Sequence, residues 1–259
     1  MYKVLTIAGS DPSGGAGIQG DLKTMAAHGV YGMSAITALT AQNTLGVQDI
    51  LESTPAFLEK QLDCIFTDIF PQAVKIGMVA NTGLIEVIAA KLQEYAAVNI
   101  VLDPVMVATS GSSLMESSAS QALKEVLMPV ANIITPNLSE AQALSGLTIH
   151  TAADMEQAAA IIGQYYSGYI LVKGGHSPDN ADDLLYYQGE MHWLRGQRID
   201  NPNTHGTGCT LSSAIACELA AGRNMLDAVV EGKKYINAAL QANLNLGQGR
   251  GPLKHDVNW

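Results

Sequence analysis

Cys209 is the residue of this sequence whose surroundings most favour chemistry. It ends the stretch Thr204-His205-Gly206-Thr207-Gly208-Cys209, which leads into an apolar run over 211–221 that Gly222 closes. This pattern predicts a tight turn at the start of a buried helix. Amides at a helix N-terminus lack intrahelical partners, and the helix dipole adds positive charge there, so they attract anions and phosphate above all. The sequence therefore predicts an anion site formed by the amides of residues 206–209.

The thiol of Cys209 is a candidate general base or nucleophile. A helix N-terminus favours the thiolate, and the thiolate is the reactive form of cysteine. A neutral thiol is a poor base, so this role predicts a pKa below the usual range. The alternative is that the glycines only shape a turn and that Cys209 only packs, as free cysteines usually do.

Other polar side chains follow apolar runs that predict strands. Asp103 follows the run 100–102, Asn137 and Glu140 follow the run 131–135, and Lys173 precedes Gly174-Gly175-His176. A lysine can pair with phosphate as a point charge. Mg²⁺ keeps its waters and prefers one or two carboxylates, so Glu140 could hold it through water, with Asp103 as a second candidate. Alternatively, Asn137 and Glu140 form a capping box and Lys173 is a surface lysine at a turn.

A glycine-rich segment over residues 9–21 follows the first predicted strand. It contains G-x-G-x-x-G at 15, 17 and 20, a pattern found in dinucleotide-binding proteins. Such a site needs a carboxylate about 20 residues further on, and no acidic residue occurs between Asp21 and Asp49. We interpret the segment instead as a loop that lets a small ligand approach the backbone, with Asp21 directed into the same pocket. A Walker loop is absent from the sequence.

Short β-branched runs alternate with longer helical patterns along the whole chain. This alternation predicts repeated βαβ units, and therefore a mostly parallel sheet with helices on both faces. Residues 182–194 differ, because two strand-like runs flank Gly189, which predicts an antiparallel hairpin at the sheet edge. The predicted strands are 3–8, 32–40, 73–79, 99–102, 131–135 and 169–173. The predicted helices are 17–28, 55–66, 82–96, 118–126, 152–166, 211–221 and 225–243.

Composition favours a globular protein, and 259 residues are enough for one large domain or two small ones. Without a visible linker or internal repeat, we expect a single domain spanning residues 1–259. Apolar residues make up 47% and charged residues 15% of the chain, which excludes a disordered protein. The net charge is -10 and the basic residues are scattered, which argues against nucleic-acid binding. The N-terminal apolar run is too short for a signal peptide, and a membrane span is not expected. Three cysteines without metal-ligand spacing suit a reducing compartment, so we expect a cytoplasmic protein.

Taken together, the motifs resemble the ribokinase-like superfamily, and within it the bacterial hydroxymethylpyrimidine/phosphomethylpyrimidine kinases of thiamine biosynthesis. The resemblance extends over nearly the whole chain and keeps the order of the motifs. They are residues 5–19, 36–44, 75–78, 102–106, 135–138, 173–176, the Cys209 turn and 249–252. The resemblance implies a three-layer α/β/α sandwich, and it implies phosphorylation of 4-amino-5-hydroxymethyl-2-methylpyrimidine and then of its monophosphate by ATP with Mg²⁺.

The same resemblance implies roles for single residues. Cys209 would be the base beside an anion hole of Gly206, Thr207 and Gly208. The nucleotide phosphates would meet Lys173 and the residues Asn137, Glu140, Thr204 and His205. The pyrimidine pocket would be lined by Gly9, Asp21, Gln42, Met78 and Val105.

Several alternatives stay open at this point. A pyridoxal kinase of the same branch shares the fold and the cysteine, and the end of the second predicted strand, with Gln42, favours the pyrimidine kinases. A nicotinamide-dependent oxidoreductase and a catalytically inactive ligand sensor are the more distant alternatives. Analogy with relatives suggests a homodimer, and it leaves open whether a monovalent cation assists the reaction. Residues 107–113 have the small-residue composition of a lid.

Overall fold

A computed structural model of the chain describes residues 1–106, 117–175 and 181–259. The predicted lid over 107–113 and His176 lie outside these residues. The strands are β1 Lys3–Ser10, β2 Tyr31–Asn43, β3 Gly46–Glu52, β4 Ala73–Ile76, β5 Ile100–Leu102, β6 Ile133–Ile134, β7 Tyr169–Val172, β8 Asp183–Tyr187 and β9 Glu190–Leu194. The helices are α1 Gly17–Ala27, α2 Pro55–Phe66, α3 Thr82–Glu94, α4 Ser117–Ala122, α5 Leu138–Ser145, α6 Ala152–Ile162, α7 Thr207–Ala220 and α8 Met225–Gln241.

Within the described ranges the strands form one sheet of nine, in the order β3-β2-β1-β4-β5-β6-β7-β8-β9. The strands β2, β1, β4, β5, β6 and β7 run parallel, while β3 and the hairpin β8–β9 are antiparallel additions at the two edges. Gln188 and Gly189 form the two-residue hairpin turn, and both have positive φ, as the twist of a tight hairpin requires. The predicted mostly parallel sheet and its edge hairpin are confirmed.

Alternate residues of the central strands enter two separate cores. Leu5, Ile7 and Val74 pack against helices α2 to α6, whereas Val4 and Val101 pack against α1, α7 and α8. This period of two is what a sheet covered on both faces requires. The three-layer α/β/α arrangement is therefore confirmed. Among the described helices, none combines the length and apolarity that crossing a membrane demands.

The secondary-structure prediction was incomplete in several places. The helix α5 was not among the predicted helices, and α7 begins four residues before the predicted start at Leu211. The strand β3 was not predicted, because its residues are mostly exposed on both faces and show no apolar alternation. The predicted strand 73–79 ends at Ile76, three residues early, so that Gly77 and Met78 belong to the following loop. The parallel strands place their carboxyl ends at one edge, and the candidate site residues gather there.

Candidate active site

The N-terminus of α7 forms the centre of the site. Its N-cap, Gly206, has φ +85° and ψ +10°, a left-handed conformation that favours glycine. A Cβ at this position would lie 1.9 Å from the carbonyl oxygen of Gly15, so only glycine lets the two loops approach this closely. The Thr210 amide donates to the Gly206 carbonyl at 2.9 Å, and the Thr207 amide lies 3.4 Å from the Thr204 carbonyl. The amides of Gly208 and Cys209 lie in the first turn of α7, where backbone amides lack intrahelical partners and can bind an anion.

Asp11 organises the glycine-rich loop that faces this turn. Its carboxylate accepts the Ser13 amide at 2.9 Å, the Ala16 amide at 2.8 Å and the Nε2 of His205 at 2.8 Å. Burial opposes the charge, yet the hydrogen bonds from His205, Ser13 and Ala16 outweigh it and lower the pKa of Asp11 to about 2. Asp11 is therefore ionised at neutral pH and fastens the loop to the α7 turn.

His205 has a structural position that the sequence did not reveal. The residue is 7% exposed and its ring is hydrogen-bonded to Asp11, while its backbone amide donates to the Gly251 carbonyl at 3.1 Å. His205 thus joins the glycine-rich loop, the α7 turn and the C-terminal segment. Its binding to a phosphate remains a prediction, and Nε2 already has Asp11 as its partner.

Cys209 lies where the N-termini of α1 and α7 meet. The amide of Gly17, the first residue of α1, hydrogen-bonds the Cys209 sulfur. Burial nevertheless raises the pKa of the thiol to about 11, and the nearby ammonium of Lys75 opposes this shift only in part. The expectation of a lowered pKa is therefore wrong for the ligand-free protein. Desolvation of the thiol exceeds the opposing effects of the Lys75 ammonium and the Gly17 amide.

Lys173 and Asp103 form an ion pair beside the α7 turn. Their Nζ and Oδ1 atoms are 2.8 Å apart, and Thr135 Oγ1 donates to the same carboxylate at 3.1 Å. A Cβ on Gly208 would lie 3.1 Å from Asp103 Oδ2 and 3.3 Å from Lys173 Nζ. The ammonium therefore lies directly next to the predicted anion hole, as a group that meets phosphate must.

Asn137 and Glu140 form the capping box that begins α5. The Glu140 amide donates to Asn137 Oδ1 at 3.0 Å, and the Asn137 amide donates to Glu140 Oε2 at 2.8 Å. The Lys173 amide donates to the Pro136 carbonyl at 2.9 Å, which fixes Lys173 beside this cap. The capping-box alternative is therefore confirmed, and it places Glu140 next to the cation. The alternative of a surface lysine is wrong, because the Lys173 side chain is only 14% exposed.

The side chains around Glu140 suit a magnesium ion that is also bound by phosphate oxygens. Glu140 is only 4% exposed, and its charge is influenced by both Lys173 and Asp103. Across the described residues there is no group of three or more histidine, cysteine, aspartate or glutamate side chains that could hold a metal alone. Mg²⁺ prefers one or two carboxylates and completes its shell with water and phosphate oxygens, so Glu140 and Asp103 fit such a role.

Glu140 gives a testable pH dependence. Burial raises its pKa to about 7, with Lys173 opposing and Asp103 adding to the shift, so Glu140 loses its charge as the pH falls below 7. We expect kcat/KM for MgATP to fall on that acid side, because kcat/KM reports groups of the free enzyme. Glu140→Gln should remove this dependence and raise the Mg²⁺ requirement about 10- to 100-fold. The exposed Glu125→Gln is the matched control and should leave both unchanged.

The predicted pyrimidine pocket lies at the ends of β1, β2 and β4. A Cβ on Gly9 would lie 3.0 Å from Met78 Cε, so these two residues are in contact. Thr40 Oγ1 donates to the Ser10 carbonyl at 2.8 Å and to Gln42 Oε1 at 3.2 Å, which places the Gln42 amide beside the end of β1. Val105 is half-buried and directly follows the Asp103-Pro104 turn. The contact of these residues with substrate stays a prediction.

Asp21 does not project freely into this pocket as expected. Its carboxylate is fully buried and accepts hydrogen bonds from Lys75, Thr6 and Ser213. The sequence did not single out Lys75 as a functional residue. Its strand and the Asp21 helix are 54 positions apart, and only the βαβ topology brings them together. Contact between Asp21 and substrate remains a prediction.

Comparison with known proteins decides the family. A sequence model of the phosphomethylpyrimidine kinases matches residues 11–254. The chain belongs to this kinase family. The hydroxymethylpyrimidine/phosphomethylpyrimidine kinase of Staphylococcus aureus is 43% identical over 97% of this chain and 92% of its own length. The crystal structure of phosphomethylpyrimidine kinase from Clostridium difficile has a TM-score of 0.82 and 43% identity, covering 92% of this chain and 98% of that chain.

The structure of this chain is also similar to that of a pyridoxal kinase. The Bacillus subtilis pyridoxal kinase, solved as an ADP complex, has a TM-score of 0.91 and 39% identity, covering 99% of this chain and 98% of that chain. The predictions of a ribokinase-like fold and of an ATP-dependent kinase are therefore confirmed. The similarity of both kinase types means that the substrate must be argued from the site.

Proposed function

We propose that the protein transfers the γ-phosphoryl group of ATP to the hydroxymethyl group of 4-amino-5-hydroxymethyl-2-methylpyrimidine, and then phosphorylates the monophosphate to the diphosphate, in thiamine biosynthesis. The observation that carries the proposal is the placement of Cys209. Cys209 directly follows Gly208, on which a Cβ would lie 3.3 Å from Lys173 Nζ. On its other side Cys209 accepts a hydrogen bond from the Gly17 amide, and a Cβ on Gly17 would lie 2.4 Å from the Gly9 carbonyl oxygen of the predicted pyrimidine pocket. The same assignment is supported by relatives that are named as hydroxymethylpyrimidine or phosphomethylpyrimidine kinases and that align with more than nine-tenths of this chain.

In this reaction the chain must align the two reactants and stabilise the negative charge on the transferred phosphoryl oxygens. The substrate hydroxyl oxygen bonds to the γ-phosphorus, the bond from that phosphorus to the ADP oxygen breaks, and the hydroxyl proton passes to the thiolate form of Cys209. The amides of Gly208 and Cys209 and the Lys173 ammonium would stabilise the negative charge on the transferred oxygens. A bound Mg²⁺ supplies further charge neutralisation on the phosphates, with Glu140 and Asp103 as its protein contacts.

A preference for pyrimidines is the direct test. We expect ATP consumption with hydroxymethylpyrimidine and its monophosphate to exceed that with pyridoxal by at least about tenfold in kcat/KM, equivalent to about 1.4 kcal/mol. The reason is the Gln42 amide, which can donate to a ring nitrogen and accept from an exocyclic amine at once. Gln42→Ala should reduce this preference without changing the KM for ATP. A preference of the parent enzyme for pyridoxal would assign it to vitamin B6 salvage instead.

Oxygen-rich surroundings near the turn support use of a monovalent cation. The side-chain oxygens of Asn201, Asn243 and Asn245 all lie within 2.7 to 3.0 Å of Asn203 Nδ2. An amide NH₂ group has two hydrogens, so three acceptors exceed what it can satisfy. We propose that a monovalent cation is held near these oxygens, six residues before Cys209, and that potassium raises activity above that in tetramethylammonium chloride.

We further propose a cytoplasmic homodimer with one domain per chain. The β2–β3 edge and α2 expose large apolar side chains, and Leu39, Leu45, Leu51 and Phe57 are each at least half exposed. Exposed apolar patches of this kind mark protein contacts, and a second copy of the chain is the partner that relatives suggest. The single continuous sheet contains strands from Lys3 to Leu194, which supports one domain. Light scattering of the purified protein tests the dimer.

A further inference from the structure

A polar cluster lies inside the otherwise apolar layer between the sheet and helices α1 and α7. Thr6 on β1 and Lys75 on β4 are partners in the parallel register. Asp21 from α1 and Ser213 from α7 complete the cluster, and all four side chains are fully buried. Their neighbours along the same face, such as Val4, are apolar. Charge in this position therefore needs an explanation.

The cluster is built around one ion pair. Lys75 Nζ lies 2.9 and 2.8 Å from the two carboxylate oxygens of Asp21. The same carboxylate accepts from Thr6 Oγ1 at 2.5 Å and from Ser213 Oγ at 2.8 Å. A Cβ on Gly77 would lie 2.8 Å from Lys75 Nζ, so glycine at this position leaves the space that the ammonium occupies. The cation is thus held at the carboxyl end of β4, at the edge of the site.

Stability alone does not account for a fully buried ion pair. The desolvation of two charges commonly exceeds their mutual attraction, and well-packed apolar residues are often at least as stable in the same place. A role in the neighbouring site is the better explanation. Ser213 lies one helical turn after Cys209 on α7, so both side chains are directed from the same face of the helix toward the cluster.

Charges of both signs act on Cys209. Lys75 from β4 and Lys173 from the end of β7 favour its thiolate, whereas Asp21 from α1 and the Asp103 carboxylate oppose it. Among these groups, Lys75 has the largest effect on the thiol. Lys173 is also the predicted partner of the nucleotide phosphates, so its charge is engaged there when ATP is bound.

We propose that Lys75 is the counter-ion of the Cys209 thiolate, the form of the residue that takes the substrate proton, and that Asp21, Thr6 and Ser213 hold the Lys75 ammonium in place. The inference rests on the proposed function. Lys75 does not contact the transferred group, so it is a positioning residue that acts through Cys209. It would keep a cation beside the thiol whether or not ATP occupies Lys173.

The test measures the thiol directly, without substrate. In a Cys64→Ser background, which removes the exposed thiol of α2, the rate of Cys209 alkylation by iodoacetamide is followed at pH 8.5. Only the thiolate reacts, and each unit of pKa changes its fraction tenfold at a pH well below the pKa. Lys75→Met is expected to slow alkylation about tenfold. It should also lower kcat at least tenfold with the KM for ATP within twofold of the parent.

Lys233→Met is the matched control for the loss of a buried ion pair. Lys233 on α8 pairs with Asp183 at 2.5 Å, and both side chains are about nine-tenths buried. This variant should leave the alkylation rate of Cys209 unchanged. If Lys75→Met does not fold by circular dichroism, the double variant Lys75→Met/Asp21→Asn removes both charges, and alkylation should still be slower than in the parent because Lys75 has the larger effect.

An alkylation rate within twofold of the parent in the folded Lys75→Met or double variant would overturn the proposal. The cluster would then be structural only. The result is independent of the proposed function, because a protein that phosphorylates neither pyrimidine nor pyridoxal would still report the reactivity of its thiol.

Discussion

Replacing Cys209 by serine is expected to lower kcat for the hydroxymethylpyrimidine by about 10²- to 10⁴-fold, the usual contribution of a positioned acid or base. The serine hydroxyl is slightly smaller than the thiol and can still accept from the Gly17 amide, so the fold should be retained. Its proton is far harder to remove than that of a thiol, so a much smaller fraction is present as the anion that can accept the substrate proton. Steady-state kinetics of both phosphorylation steps, with circular dichroism as the check on folding, measure the effect.

Cys64→Ser is the matched control for this substitution. Cys64 is exposed on α2, away from the carboxyl ends of the strands, so the same chemical change there should leave kcat unchanged. The KM for ATP should be similar in all three proteins, because backbone amides and Lys173 meet the phosphates. A Cys209→Ser enzyme with more than half of the parent kcat would show that the thiol only packs.

The raised pKa of Cys209 bears on how the base acts. In the ligand-free protein the thiol keeps its proton at neutral pH, since burial raises its pKa to about 11. Phosphoryl transfer draws mainly on positioning and on stabilisation of charge. We infer that Cys209 must lose its own proton before it takes the proton of the substrate hydroxyl as the new oxygen-phosphorus bond forms. The permanent cation at Lys75 would stabilise the thiolate that this requires.

Features encoded in adjacent residues could be predicted from the sequence. The helix α2 was predicted with its observed bounds, since Thr54 caps it and Pro55 occupies its first position, where a missing amide is harmless. The capping box of Asn137 and Glu140 and the hairpin turn at Gly189 are equally local. Each depends on side chains or turn residues within about four positions, which a sequence displays directly.

Features that depend on distant segments could not be predicted. The strand β3 carries no burial pattern, because it gains its hydrogen bonds at an exposed sheet edge. A lysine in the apolar run around Lys75 has no visible partner, since Asp21 reaches it only through the fold. The pKa of Cys209 was misjudged for the same reason. The helix start was predictable, but the burial of the thiol and the carboxylates of Asp21 and Asp103 that raise its pKa depend on segments distant in the sequence.

Gly206→Ala is expected to have the second large effect, a loss of at least about 10² in kcat/KM together with a clear loss of stability. Two costs combine at this position. A left-handed conformation at φ +85° costs a residue with a Cβ about 1 to 2 kcal/mol. The Cβ would also lie 1.9 Å from the Gly15 carbonyl oxygen, which is backbone and has no flexible end to move. The turn and the glycine-rich loop must separate, and misplacing reacting groups by about 1 Å can cost about 10² in rate.

Gly222→Ala separates these two costs. Gly222 follows α7 at its other end, has φ +90°, and has no atom within 4 Å of the position that a Cβ would take. It therefore carries the conformational cost alone, about 1 to 2 kcal/mol in the free energy of unfolding, with kcat/KM unchanged. Denaturant unfolding and kinetics of the two variants give the difference between them. Equal losses of stability and activity in the two variants would mean that the contact with Gly15 does not shape the anion site. A loss of activity confined to Gly206→Ala would instead show that this contact is part of the catalytic machinery.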